Sequence, residues 1–319
     1  MNPVELTPSA AEAAPESLAA IQPGRARLVY AYLALVAGIG ALSFSALFVR
    51  WSQAPGTVTS FYRMVVAVVV LFPIFLRRPR PALGNRSLWL LPVLGGIFTA
   101  FDHASWSTAL GMISIANATL INNIAPLWVG LFSFLILRQK LGGKFWLGLV
   151  LTLAGAGVVF GIDLEGAAGV NQGGLLALAS SGFYAGYFLI TQRGRRFWDS
   201  LAYIWLVSLT SAIVLLGVNL SGGQPLAGFS TQTYLSFLGA GLISQVIGYI
   251  SVGYALGRLP ASVVAPTMIL QPVITALMAI PLAGEALALP QLAGGLAVLG
   301  GIYLVNLSQQ PRAGREQQV

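Results

Sequence analysis

The sequence predicts an all-α polytopic membrane protein, with ten transmembrane helices arranged as two inverted five-helix repeats. Three observations carry that reading. Of the 319 residues 56% are hydrophobic and only 8% charged, against about 25% charged in a soluble chain; mean hydropathy is +0.81. The apolar sequence falls into runs of about 20 residues, the helix length that crosses a hydrocarbon core, where a β-barrel would show short alternating segments. Finally, the stretch that begins at Ala109 has an echo beginning at Ala255.

Taken in order, residues 1–27 are rich in Ala, Pro, Ser and Glu and lack periodicity, which predicts a solvated tail. The early charges Glu5, Glu12 and Glu16 are acidic and the apolar run starts late, unlike a signal peptide. Spans are expected at 28–49, 57–76, 88–109, 116–137, 145–162, 172–192, 200–220, 232–253, 262–282 and 287–307, with a second tail at 308–319. Short connections make neighbours in sequence neighbours in space. With the N-terminus in the cytoplasm, 15 of the 17 Lys and Arg fall on the cytoplasmic side; Arg50 lies outside and Arg63 within a span. This bias sets both termini in the cytoplasm. The net charge of +8 therefore reports topology, and no nucleic-acid partner is expected.

The echo is ungapped at an offset of 146. It pairs Gly111 with Gly257, Pro126 with Pro272, Leu141 with Leu287, Gly148 with Gly294 and Gly155 with Gly301. Duplication makes 28–162 and 172–307 two related five-span units. An odd number of spans turns the second unit upside down, and inverted repeats commonly enclose a site near the midplane.

Polar residues inside apolar spans mark that site. Arg63 in the second span and Asp102 and His103 in the third lie at similar depth, ~10 Å from the outer end. A charge there is costly, which an Arg63–Asp102 pair or a water-filled cavity between them would offset. A substrate site with proton coupling at Asp102 or His103 competes with a static ion pair that locks the two spans. His103 is about 100° round the helix from Asp102, so the two need not share a cavity. Asn117 and Asn122 line the start of the fourth span. Pro126, Pro266 and Pro272 each remove a helical N–H and free a carbonyl one turn back, as a broken-helix site requires; bending alone is the rival role. Trp106 sits one turn past Asp102 on the same face. Trp128, Tyr184, Tyr187, Trp205 and Tyr254 stand at inward-capable positions but are read first as interfacial anchors. The glycines of spans five and ten are read as packing surfaces.

Catalytic signatures are absent: there is no HExxH, GxSxG or Walker lysine, one histidine and no cysteine. No catalytic residue, metal site or cofactor is expected.

The stretches SFSALFVRWSQAPGTVTSFYRM at 43–64, FDHASWSTALGMISIANATLINNIAPLW at 101–128 and SQVIGYISVGYALGRLPASVVAPTMILQPVITALMAIPLAGEAL at 244–287 resemble the EamA family of the drug/metabolite transporter superfamily. The resemblance implies ten helices in two inverted repeats and export of small metabolites or amino acids through a central cavity. It places Arg63, Asp102, Trp106, Asn117 and Pro126 near that cavity, with Gln245, Gly248, Tyr249 and Pro272 as counterparts. Two positions depart from the family pattern. Gln139 stands where an acidic residue follows the fourth helix, which Glu285 keeps after the ninth, and Tyr249 stands where a histidine is common.

The expectation is a secondary exporter in a bacterial-type inner membrane, with proton antiport through Asp102 as a further hypothesis. Its partners are a small-molecule substrate and the lipid bilayer, with a homodimer left open. A passive channel or scramblase is the rival, and an intramembrane enzyme using Asp102 and His103 lacks a nucleophile.

Overall fold

The computed structural model describes residues 25–79, 86–110, 112, 121–136, 138–160, 172–271, 273–274 and 289–309. Asn117, Pro272, Gly111 and Glu285 lie outside these, as do most of both tails and parts of spans four, five, nine and ten. Among the described residues all regular structure is helical. The first span is α1 (Arg25–Ser43) continued by α2 (Ser45–Ser52). The chain turns at Gln53, in the left-handed region at φ 50°, and Pro55 leads into α3 (Gly56–Arg77). Proline suits that entry, where a helix has no acceptor for the N–H. Next come α4 (Arg86–Leu110), α5 (Ala125–Leu135), α6 (Gly143–Phe160) and α7 (Gln172–Gly194).

Helix α8 (Ser200–Ser221) starts at Asp199, whose carboxylate accepts from the N–H groups of Leu201 and Ala202 at 3.0 and 3.5 Å. The loop after it turns at Gly223 and Gly228, φ +63° and +88°, which a residue without Cβ adopts freely. Ser230 caps α9 (Thr231–Gly239). That helix runs on through a π-helix (Ala240–Tyr249) into α10 (Ile250–Leu256), making one 26-residue span, Thr231–Leu256. The chain then forms α11 (Ala261–Met268) and α12 (Leu289–Gln309). Among the described residues, six stretches are long and apolar enough to cross a membrane, namely Ala26–Val49, Gly56–Arg77, Ser87–Ala109, Gln172–Gly194, Ser200–Ser221 and Thr231–Leu256. Ala125–Leu135, Gly143–Gly155 and Ala293–Ser308 are shorter apolar helices.

These helices are apolar on every side, as membrane spans are. Helix α3 buries Met64, Ala67, Leu71 and Phe75 while Val69, Val70 and Phe72 face outward, a surface suited to lipid. Helix α4 packs against α7, α3 against α8, α1 against the π-helix and α10, and α6 against α12. The π segment comes close through its glycines, for a Cβ on Gly248 would lie 2.9 Å from the Leu42 side chain.

The largest apolar core lies toward the end where Arg77, Arg78, Arg193 and Arg196 emerge, called here the arginine end. It includes Leu71, Phe75, Tyr187, Phe188, Trp198 and Trp205. Side chains tie that end together. Arg195 donates from Nε to the Gly253 carbonyl at 2.8 Å and from Nη1 to the Trp198 carbonyl. Trp198 Nε1 donates to the Leu88 carbonyl at 2.9 Å, and Gln192 accepts from the Ala261 N–H at 2.9 Å. Burial pushes the Arg195 guanidinium down to about 10, opposed by nearby Asp199, so at neutral pH it still donates. Arg78 meets Asp199 at 3.8 Å, an ion pair whose side chains are 45% and 30% exposed and worth about 0–1 kcal/mol.

Helices α6 and α12 meet backbone to backbone. A Cβ on Gly148 would lie 2.7 Å from the Gly301 carbonyl oxygen, and one on Gly155 2.6 Å from that of Gly294. This is the packing role read from the sequence. Gly155→Val is expected to destabilise the protein by about 1–3 kcal/mol, the range for overpacking, read as a lower melting temperature in detergent. Gly217→Ala, where a Cβ meets nothing within 4 Å, is the matched control and is expected to leave it level or raise it.

Candidate functional site

Arg63 projects from the buried face of α3 and is 5% exposed. Its Nε donates to Gln245 Oε1 at 3.0 Å and its Nη1 to Ser45 Oγ at 2.9 Å. The guanidinium carbon lies 5.3 Å from the centroid of the Tyr249 ring, within cation–π range. Gln245 is braced in turn by donating to Ser208 Oγ at 3.3 Å. Each of these partners is neutral.

Asp102, 7% exposed on α4, is held by donors. Its Oδ1 accepts from Ser180 Oγ at 2.6 Å and from Asn122 Nδ2 at 3.3 Å, and Asn122 Nδ2 also reaches Ser180 Oγ at 2.6 Å. Asn122 stands just before the turn at Asn123–Ile124, after which α5 opens with Pro126 in its first turn. Breaking the span there turns the asparagine toward Asp102.

Arg63 and Asp102 do not pair directly. Among the described residues the ion pair found is Arg78–Asp199. The two charges instead share a cavity of ≈ 80 Å³, along with His103, Trp106, Asn122 and Tyr249. Of the two ways the sequence allowed for offsetting the charges, the geometry is that of the cavity. His103 also lines it, although it lies round the helix from Asp102. Asp102 looks toward α5 and α7, while His103 Nε2 meets the Tyr249 hydroxyl at 3.3 Å. Gln245 stands behind Arg63 rather than in the lining. Pro266 lies inside α11, away from the lining, and Asn117 and Pro272 are outside the described residues.

Three lining residues escaped the sequence reading of the site, Leu42, Ser45 and Gln271, while Tyr184, weighed there as an anchor against an inward position, lines it as well. Ser180, which orients Asp102, escaped it too. Gln271 carried a usable signal, a long polar side chain in an apolar span next to Pro272. The serines carried none, since serine is ordinary in membrane helices, where it bonds to its own backbone as Ser43 does to the Ile39 carbonyl. Of the aromatics read as anchors, Tyr187 and Trp205 are buried instead, 0% and 8% exposed; Trp205 stacks on Phe75 with centroids 3.9 Å apart.

The hydrogen-bond account defines what the cavity accepts. Arg63 spends Nε and Nη1, and its Nη2 makes no hydrogen bond among the described residues. The indole N–H of Trp106, a donor only, is buried with no hydrogen-bond partner among the described residues. Asp102 takes both of its bonds on Oδ1, leaving Oδ2 unspent. A solute with a hydrogen-bond acceptor for Arg63 and a donor for Asp102 satisfies both charges. A cavity of ≈ 80 Å³ exceeds the ~10–15 Å³ needed to hold one water only several-fold, so the solute is small.

The sequence matches the model of the EamA-like transporter family twice, over residues 27–161 and 171–307. It is 24% identical over 255 residues to the uncharacterized transporter YdfC of Bacillus subtilis, covering 78% of this chain and 81% of that one. It is 28% identical over 178 residues to a Salmonella typhimurium protein named "probable amino-acid metabolite efflux pump", covering 53% of this chain and 60% of that one. A solved crystal structure superposes with TM-score 0.73 at 19% identity, over 87% of this chain and 96% of that one, which is a likeness of fold.

Proposed function

We propose, from the premise that the chain belongs to the EamA-like transporter family and is an integral membrane protein, that it is a secondary exporter working by alternating access. Ten spans form two inverted five-span units, 28–162 and 172–307, with both termini in the cytoplasm of a bacterial-type inner membrane. The substrate is a small metabolite of the amino-acid type, its carboxylate taken by Arg63 and its ammonium by Asp102. Proton exchange at Asp102 couples its exit to the gradient.

One observation carries this reading. A buried arginine and a buried aspartate face one cavity without pairing, each with polar valence unspent. A structural ion pair would close on itself, since charges inside a membrane are costly when left apart. The twofold match to the family model supports the repeat, and the efflux pump among the relatives supports the direction.

Purified protein in liposomes preloaded with unlabelled L-amino acids tests it. Uptake of radiolabelled L-amino acids is expected to saturate and to run faster with substrate on the far side. Flux that rises linearly with concentration, with no acceleration by counter-substrate, would replace the carrier with a passive channel. No flux above protein-free liposomes would remove the amino-acid class.

A further inference from the structure

Two residues of a twofold pair lie at equal distances on opposite sides of the axis, so they touch only where the axis passes between them. His103 and Tyr249 are 146 residues apart and meet at 3.3 Å, and 146 is the offset that pairs Gly148 with Gly294 and Gly155 with Gly301. The glycine contacts obey the same exchange. Gly148 abuts Gly301 and Gly155 abuts Gly294, so each contact is the image of the other. Whole elements follow: α4 on α7 answers α1 on the π-helix and α10, while α3 on α8 and α6 on α12 map onto themselves.

The arginine end departs from that symmetry. At the arginine end spans six and eight are closed on each other. Arg195 at the end of span six bonds the Gly253 carbonyl of span eight, and Tyr187 packs on Tyr249 with ring centroids 5.4 Å apart. The images of these spans are one and three. At the opposite end they stand on facing walls of the cavity, Leu42 and Ser45 on one side and Asp102, His103 and Trp106 on the other.

We infer that the contact between spans six and eight, latched by Arg195, is the gate to the other access state, and that it opens as spans one and three close about the His103–Tyr249 axis. This rests on the inverted-repeat transporter reading. It makes Arg195 a positioning residue that acts on the gate and not on the substrate. A twofold exchange keeps contacts on the axis and trades those off it, so the gate contact is one that must break in each cycle.

The test uses the full chain, which has no cysteine of its own. In the first arm Arg195→Ala is combined with Ala255→Cys, a position 0% exposed near the seal, and maleimide labelling is followed without substrate. Losing a charged hydrogen bond is expected to raise the labelling rate about tenfold or more over Ala255→Cys alone. Ala100→Cys, buried in a separate cluster, is expected to stay unreactive. Equal labelling with and without Arg195, or labelling of both cysteines together, overturns the gate.

The second arm joins Arg195→Cys to Gly257→Cys. A Cβ on Gly257 lies 3.3 Å from that of residue 195, close to the disulfide range. Oxidation is expected to reduce radiolabelled amino-acid counterflow to that of protein-free liposomes, with dithiothreitol restoring it. Unchanged counterflow across a disulfide verified by mass also overturns the gate. A wild-type protein without counterflow removes the amino-acid reading, and the labelling arm then decides the gate alone.

Discussion

Replacing Arg63 with methionine is expected to lower transport by between about ten- and a hundredfold while leaving the melting temperature within a few degrees of wild type. The transport loss follows from a charge-assisted hydrogen bond to the solute, worth about 1.5–3 kcal/mol, at ~1.4 kcal/mol per tenfold. The stability result follows from two opposed costs. A charge at the centre of a span costs roughly 2.5–3.5 kcal/mol to insert, and methionine, with an unbranched chain of similar reach, removes that cost. Gln245 and Ser45 lose their partner, at about 1–3 kcal/mol for each polar group left unsatisfied. The two nearly cancel. Transport assays beside thermal melts separate the roles: if the melting temperature collapses along with transport, Arg63 is a brace between spans, and if transport survives, it does not touch the solute.

Asp102→Asn is expected to divide transport into two parts. Asparagine keeps the size of the side chain and an oxygen for Ser180 Oγ, now 2.6 Å from Oδ1, so the fold is kept. It can neither bind nor release a proton in the working range. Gradient-driven accumulation is therefore expected to vanish, while counterflow, which needs no net proton movement, falls by about ten- to a hundredfold with the lost charge-assisted bond to the ammonium but stays measurable. Measuring both in one liposome preparation decides the matter. Accumulation that persists in Asp102→Asn, or that is insensitive to collapsing the pH gradient in the wild type, would falsify proton coupling at this residue.

The membrane-spanning elements were legible in the sequence because length and hydropathy are summed over many residues, so local exceptions average out. The six long apolar helices fall within a few residues of the expected boundaries. Arg63 and Asp102 stood out for the opposite reason, as charges are rare in such spans. Their depth could be counted along the helix, but which neighbour each would meet depends on how the helices turn against one another. Hence the sequence left pair and cavity as equals. Ser180 and Ser45 were invisible, since a serine that orients a carboxylate reads like one that bonds its own helix. The π-helix was missed too. Bonding to the fifth residue instead of the fourth leaves no mark in hydropathy, and Ala240–Tyr249 reads as an unremarkable glycine-containing apolar run.

That π-helix bears on which way the protein rests. Shifted by the repeat offset, its ten residues fall on 94–103, which are plain α-helix in α4. Under the proposed inverted repeat, the two units would then differ in backbone winding at their centre. Units identical under a twofold rotation would make the two orientations of the proposed carrier equal in energy, and an empty one would idle half its time on each side. Unequal winding would lift that degeneracy, giving an unloaded molecule a home side, and solute binding would work with or against a tilt already wound into the chain.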